Sequence, residues 1–408
     1  MSETKNLAPL GVVAKFHTGW TPPTTNSKNF NGGLAWANIG DIASRKVVAT
    51  AKTISEKALQ EHPSARLAQP GDVLFPFKLS LGAAGIAEIP MYTNEAIATF
   101  PVADNPDFEA RYLYYILPVF VPLNAAINIY GAPLLSSERI RSSRIPMPSL
   151  QKQRAIADYL DRETAEIDGM RADLDEMERL LEERRVSIIQ RHVLPEDGTY
   201  TRVKLVADVS LGKTVQKTQN DASEELRNYV RAAHIQPHGR LVLDDQPMWF
   251  TPSELKQLTL ETGDVLVVEG GAGYGRSVYL RDDLPGWGFQ NHVIRVRPLA
   301  GASGRFIDYT IRAHHGAGLI DILADGATIP GLSSDKAREL PLLNVSYDEQ
   351  RRIADEIDRE TAEIDSMLSD ITKLRDLLAE RRSAVISAAV TGQIDIPISS
   401  THKDESHA

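Results

Sequence analysis

Residues 153–170 read QRAIADYLDRETAEIDGM, and residues 350–367 read QRRIADEIDRETAEIDSM. At a constant offset of 197, residues 151–170 and 348–367 agree at 14 of 20 positions. Chance similarity between charged helices does not give an unbroken Asp-Arg-Glu-Thr-Ala-Glu-Ile-Asp in one phase, so the chain contains an internal duplication. Each copy has the period of a long packed helix. Apolar residues fall at Ile156, Leu160, Ile167, Met170, Leu174, Met177, Leu181 and Ile188, and again at Ile353, Ile357, Ile364, Met367, Ile371, Leu374, Leu378 and Val385. Steps of three and four place them on one stripe, the seam of a coiled coil. Glu163 and Arg184 interrupt the first stripe, and Glu360 and Arg381 interrupt the second. In an antiparallel pair each glutamate faces the other helix's arginine and fixes the register; a solvated charge at a frayed seam is the alternative. A helix of roughly 40 residues spans about 60 Å, which suits a spacer.

The segments between the repeats are globular. Ile145-Pro146-Met147-Pro148 closes a first domain at residues 1–148, because a helix does not pass those prolines easily. The first long helix takes 149–195, a second domain 196–345, and the second helix 346–392, opened by the capping-box spacing of Ser346-Tyr-Asp-Glu349. Residues 393–408 form a polar tail expected to be disordered. In the first domain strands are expected over 10–16, 34–39, 72–77 and 96–102. Residues 111–119 read as a helix or a buried strand, and Gly131–Ser137 as a loop. The second domain echoes these landmarks: Gly212 and Thr214 for Gly19 and Thr21, Gly263-Asp264-Val265-Leu266 for Gly71-Asp72-Val73-Leu74, Asn291 for Asn94, and Leu332-Ser333-Ser334 for Leu135-Ser136-Ser137. The expected fold is α+β: two similar mixed α/β domains joined by two long antiparallel helices in a coiled coil, a pseudo-two-fold internal repeat.

Composition sets outer bounds. A chain of 408 residues with 42% hydrophobic content builds more than one core and is not a disordered protein. It has no cysteine, which removes disulfides, thiolate metal sites and thiol nucleophiles. No apolar run approaches the ~20 residues of a membrane span, and Met1-Ser-Glu-Thr-Lys lacks a signal-peptide core; a cytoplasmic protein with no membrane partner is expected. Net charge is −10, yet residues 1–150 carry +2 and residues 348–408 carry −6. Nonspecific polycation behaviour is excluded, and any nucleic-acid binding needs local basic loops or a partner.

Local motifs give candidates. Gly270-Gly271-Ala272-Gly273-Tyr274-Gly275-Arg276-Ser277 fits G-x-x-x-x-G, but Arg276 stands where a phosphate loop needs lysine and no helix follows. It is either a plain glycine hairpin or a loop that presents Tyr274 and Arg276 to DNA. Asn291 and His292 offer groups suited to base edges, or they satisfy a buried turn. Candidate DNA contacts are Thr21, Thr24, Lys78, Ser80 and Tyr130 in the first domain. In the second they are Lys213, Thr214, Lys217, Tyr274, Arg276, Asn291, His292 and Thr328. Trp20, Trp36, Trp249 and Trp287 read as core, with base-stacking platforms as the alternative. The histidines have no metal-ligand spacing, and no nucleophile elbow or H-E-x-x-H occurs. Carboxylate pairs on the long helices sit at surface spacing and read as solvated faces.

Gly19-x-Thr21-Pro22, Gly71-Asp72-Val73-Leu74, the Gln-Arg-x-Ile-Ala-x-x-Leu/Ile-Asp helix starts and the Glu-Arg-Arg near each helix end resemble the specificity subunit of Type I restriction–modification systems. The resemblance covers essentially the whole chain; Val215 departs from it where the first half has Pro22. It implies a non-catalytic chain whose two domains each read half of a bipartite double-stranded DNA site. The helices would set the gap and dock two modification subunits, which carry S-adenosylmethionine and methylate adenine. A restriction subunit, where present, would bring ATP and Mg chemistry; this chain itself would bind no cofactor. The competing class is a DNA-free, two-headed coiled-coil adaptor.

Overall fold

The computed structural model describes residues 7–42, 44–78, 82–127, 133–324 and 331–398. The chain divides into two units, residues 1–172 with 374–408, and residues 173–373. The division cuts through both long helices, so each unit owns one globular head and part of each helix, and the helices are not domains of their own.

Among the described residues, the first head is built on the strands His17–Thr18, Ile97–Phe100, Val73–Pro76, Gly85–Ala87 and Lys46–Val47 in that spatial order, antiparallel except for the last pair. A second sheet has Phe30–Ala37 at its centre, antiparallel to Lys52–Ile54 and parallel to Tyr92–Thr93. The second head repeats the plan. Ala207–Leu211, Val293–Pro298, Val265–Val268 and Ser277–Tyr279 form an antiparallel sheet. Glu225–Val230 lies antiparallel to Pro247–Phe250 and parallel to Gly288–Phe289. A helix follows in each, Ala110–Phe120 and Gly304–Gly316. A strand pair closes each, Leu7–Pro9 with Arg144–Pro146 and Tyr200–Arg202 with Pro341–Leu343. The duplication thus extends through the middles of the heads, where the sequence no longer displays it.

The Gly-Asp-Val-Leu motifs turn the chain into the central strand of each main sheet. Gly71 and Gly263 adopt φ of +95° and +97°, a region that favours glycine. The buried Asp72 carboxylate accepts from Gln69 N (2.8 Å) and Val102 N (2.9 Å). Asp264 accepts from Glu261 N (2.9 Å) and pairs with Arg297 at 2.7 Å. The strand expected over 10–16 is instead a helical turn, Leu10–Val13, followed by the short strand His17–Thr18. Leu10 drops into the core while Val12 is 80% exposed, a helical rather than an alternating pattern.

The long helices run Leu150–Val193 and Tyr347–Val390. The second starts at a serine cap, with Glu349 N donating to Ser346 Oγ (3.3 Å). Each head shares its core with the helices: Ile156, Leu160, Ala389 and Val390 join the first, and Ile189, Val193, Ile353 and Ile357 join the second. The start of the tail, expected to be disordered, packs on the first head. Ile396 is buried in the first head's core with Ile394 packed against it, and Lys152 Nζ donates to Ile396 O (2.5 Å); residues 399–408 lie outside the described set.

The repeated residues explain how head and helix are joined. Gln153 is fully buried: its side-chain oxygen accepts from Glu109 N (3.0 Å), and its amide donates to Asp107 O (2.9 Å) and Pro148 O (3.0 Å). Gln350 does the same with Ser303 N (2.9 Å) and Val345 O (3.1 Å). Further along the helix, Arg111 donates to Asp158 (2.8 Å) and Asp161 (2.9 Å), and the Tyr115 hydroxyl donates to Asp161 (2.7 Å). In the second unit Arg305 holds Asp358 (2.7 Å) and Asp355, while the Tyr309 hydroxyl bonds Asp358. An Arg and a Tyr four apart on a head helix therefore grip two aspartates three apart on the long helix, in both units. These carboxylates are joints, which corrects their reading as a solvated face.

Burial opposes ionisation of Asp161, but hydrogen bonds from Arg45, Tyr115 and Arg111 outweigh it and hold its pKa below the ordinary carboxylate value. Such a group stabilises the fold fully above its unfolded pKa of about 4, and that contribution is lost as the pH falls through the lower folded value. Asp161→Asn is expected to cost about 1–3 kcal/mol at neutral pH, with the difference from the parent chain closing in acid. Denaturant unfolding of both chains across that range checks this; a difference independent of pH contradicts an ionic joint.

The apolar stripe is buried at Ile156, Leu160, Ile167, Ile353, Ile357, Ile364 and Ile371, but only half-buried at Leu174, Leu181 and Leu378. Away from the heads one helix has only the other to cover it, and Met177, Met367 and Leu374 are 51%, 42% and 48% exposed. The pairing is antiparallel within each unit. In the first, Glu163 meets Arg381 (3.8 Å) and Asp168 meets Arg382 (3.5 Å); in the second, Asp365 meets Arg185 (2.8 Å). Glu360 turns instead to Arg191 (2.5 Å) and His192 (3.0 Å), so the expected Glu360–Arg184 contact gives way to Asp365–Arg185, the counterpart of Asp168–Arg382.

Candidate nucleic-acid interface

At one end of each main sheet, segments far apart in sequence converge. In the first head Gly19 N and Trp20 N donate to Ile97 O (3.3 Å) and Thr93 O (2.8 Å), and Phe77 N donates to Ala96 O (2.9 Å). This gathers the 19–24 loop, the end of the Val73–Pro76 strand and the 93–96 turn. In the second head Gly212 N donates to Val293 O (3.2 Å), Lys213 N to Phe289 O (3.0 Å), Asn291 N to Lys213 O (2.9 Å) and Glu269 N to His292 O (3.0 Å). The same three kinds of segment meet there.

Two glycines are required for this approach. A Cβ on Gly19 would lie 1.9 Å from Thr93 O, and one on Gly212 would lie 2.3 Å from Gln290 O. No side chain fits either gap. The Pro22 to Val215 difference is absorbed, because Pro22 is buried and Val215 packs against the apolar cluster of Tyr229, Met248 and Phe250.

The side chains divide by surroundings. In the first head Thr24 and Lys78 are exposed. The Thr21 hydroxyl bonds Glu95, and that bond, aided by nearby Lys78 and opposed by burial, holds the Glu95 carboxyl below its ordinary pKa. In the second, Thr214, Lys217 and His292 are exposed and Asn291 partly so; His292 Nδ1 lies 3.4 Å from Glu269. Lys213 turns inward, pairing with Glu254 (2.6 Å) over the Phe250 ring. The glycine-rich loop closes an antiparallel hairpin between Val265–Val268 and Ser277–Tyr279. Its Tyr274 bonds Asp321 and stands edge-on to His315, and Arg276 lines a cavity with Glu182, Arg185 and His238 beside the long helix. Both side chains thus have surroundings within their own unit. Ser80, Tyr130 and Thr328 lie outside the described residues.

Sequence reasoning missed Glu95, the Trp20–His62 stack (ring centroids 4.8 Å apart) and the closure of the 212–224 loop by Gln216 on Glu224 (2.9 Å). Nothing local signals these, because each partner comes from a distant or irregular segment. Trp36 is buried as expected, with its indole donating to Trp20 O (3.0 Å). The two clusters present hydroxyls, amides, an imidazole, carboxylates and lysines, the groups that meet base edges and phosphates. Among the described residues no His/Asp/Glu group is placed to hold a metal ion, and no helix is long and apolar enough to cross a membrane.

Residues 3–179 match the family model of the Type I restriction modification DNA specificity domain, which spans the first head and much of its long helix. The chain is 24% identical over 295 residues, 67% of its length, to the Type I restriction enzyme StySPI specificity subunit of Salmonella potsdam. It is 26% identical over 101 residues to the EcoBI specificity subunit of Escherichia coli. The longer alignment reaches 61% of that relative's own length. A structure solved for complex assembly and conformational transition of the type I R-M system shares the fold, with a TM-score of 0.65 at 16% identity over 95% of this chain and 98% of the other. The first head and its helix thus match the DNA specificity domain, and the second head repeats the same strand plan. The chain is similar to the specificity subunits of Type I restriction enzymes.

Proposed function

We propose that this chain is the DNA-recognition subunit of a Type I restriction–modification complex, with each head reading one half of a bipartite, asymmetric site. The observation that supports this most is the pair of equivalent loop clusters: one architecture, built twice, carrying different side chains. Thr21, Thr24 and Lys78 in one and Thr214, Lys217, Asn291 and His292 in the other meet different sequences. A protein reading a palindrome as a dimer needs only one head per chain. The long helices set the gap between half-sites and carry two modification subunits. The chain contributes recognition and no chemistry: S-adenosylmethionine belongs to the modification subunits, and ATP and Mg to a restriction subunit where one is present. At −10 net charge the chain relies on those partners to neutralise DNA phosphates, and it works in the cytoplasm.

Selection from a random duplex pool by the chain assembled with its modification subunit tests this. Enrichment of two short defined halves around a fixed gap is expected. A pool that stays random while the complex is intact contradicts DNA recognition and favours the adaptor.

A further inference from the structure

The backbone hydrogen bonds that build the two loop clusters also fix which of their residues are equivalent. Gly19 N donates to Ile97 O and Gly212 N to Val293 O; Trp20 N donates to Thr93 O and Lys213 N to Phe289 O. Asn94 N donates to Ala37 O (2.9 Å) and Gln290 N to Val230 O (2.9 Å), each just beyond a parallel strand pair. The turns close in the same way, by Ile97 N on Asn94 O (3.2 Å) and by Val293 N on Gln290 O (2.9 Å). Every one of these bonds gives the same register. Asn94 is the counterpart of Gln290, and Asn291, which sequence matching sets beside Asn94, is the counterpart of Glu95. Thr21 and Thr214 correspond by the same bonds.

One position of the cluster thus holds a carboxylate in the first head and a carboxamide in the second. Glu95 is exposed, and the Thr21 hydroxyl donates to its Oε2. A carboxylate has about four lone-pair sites, so one hydroxyl leaves it able to accept from a further donor. Its neighbour Asn94 is committed to the turn, with Oδ1 accepting from Ala96 N (3.1 Å). Asn291 is partly exposed, and its carboxamide makes no hydrogen bond among the described residues. A carboxylate on a surface that meets DNA is repelled by the phosphates at long range, so it suits a place where a donor awaits it. Exposed Lys78 is close enough to act on its charge.

The base edges in the major groove separate the two groups. An ionised carboxylate only accepts. Guanine offers it the acceptors N7 and O6, and thymine the acceptor O4; adenine sets its N7 acceptor beside the N6 amino group, whereas cytosine offers the N4 amino group alone. A carboxamide both donates and accepts, which matches adenine N7 and N6 together. Resting on the proposed function, we infer that Glu95 and Asn291 are equivalent specificity-determining residues. Glu95, positioned by Thr21, selects a cytosine in one half-site through its N4 amino group, and Asn291 selects an adenine at the corresponding place in the other. One scaffold position reads two bases by exchanging a carboxylate for a carboxamide.

The test repeats duplex selection with the full chain co-assembled with its modification subunit, comparing the parent with Glu95→Gln and Asn291→Asp, each close to isosteric. Glu95→Gln is expected to change one position of one half-site, lowering the preference for cytosine over adenine by roughly tenfold or more. Asn291→Asp is expected to make the opposite change, from adenine towards cytosine, in the other half-site. The gap and the half-site of the unaltered head are expected to stay as in the parent, which also shows that each variant complex is folded and assembled. A motif left unchanged by either variant overturns the assignment of that residue. Weaker binding with no change of base preference shows that Glu95 only fastens Thr21, and overturns its assignment too. A parent complex that enriches no motif at all overturns the DNA-recognition reading on which the assignment rests.

Discussion

Seven residues added to each long helix, after Asp173 and after Lys373 where the chain passes between its units, are expected to lengthen the gap of the recognised site by about three base pairs. Seven residues add about 10.5 Å at 1.5 Å per residue, against 3.4 Å per base pair. A heptad preserves the phase of the seam, so Asp168–Arg382 and Asp365–Arg185 re-form on their own sides of the insertion. Both half-sites are expected to stay unchanged, because neither loop cluster is touched. Mapping methylated sites for the elongated complex checks this. An unchanged gap removes the helices as a ruler, and altered half-sites show that the insertion disturbed the heads.

Gly19→Ala and Gly212→Ala are expected to act on one half-site each. The new methyl group would stand 1.9 Å from Thr93 O or 2.3 Å from Gln290 O, so the loop must move off the adjoining turn. Overpacking of this kind costs on the order of 1–3 kcal/mol of stability, which a head with its own core tolerates. Recognition tolerates it less, because each base contact is worth about 1–3 kcal/mol and several shift together. Binding is expected to fall by about 100-fold or more, with discrimination lost in the half-site read by the altered head. Competition with duplexes substituted in one half at a time measures it, and equal loss at both halves contradicts independent heads.

The long helices were the legible part of the sequence. Their ends lie at Leu150–Val193 and Tyr347–Val390, beside the prolines and the Ser346 cap that announced them. The apolar runs of Val73–Pro76 and Val265–Val268 were legible too, since a strand covered on both faces needs no alternation. The heads' common topology was not. Tyr92–Thr93 and Gly288–Phe289 are two-residue strands placed by parallel pairing with distant partners, and two residues carry no periodicity. The joints were half-legible: the repeat marked Asp158, Asp161, Asp355 and Asp358, but their arginine and tyrosine partners lie about 50 residues away in head helices whose sequences have diverged. Arg276 shows another limit: the sequence leaves a plain hairpin and a DNA-presenting loop open, and the structure gives the hairpin, with His315 against Gly275. The shared end of each main sheet, where Gly19 and Gly212 permit close approach, was visible only as matching landmarks.

The most direct test of the whole account is a genome-wide map of N6-methyladenine in the source cell, with and without this gene, with its modification subunit shown to be expressed and bound. The account predicts loss of one motif, two short defined halves separated by a fixed gap. A map unchanged by removal of the gene contradicts it.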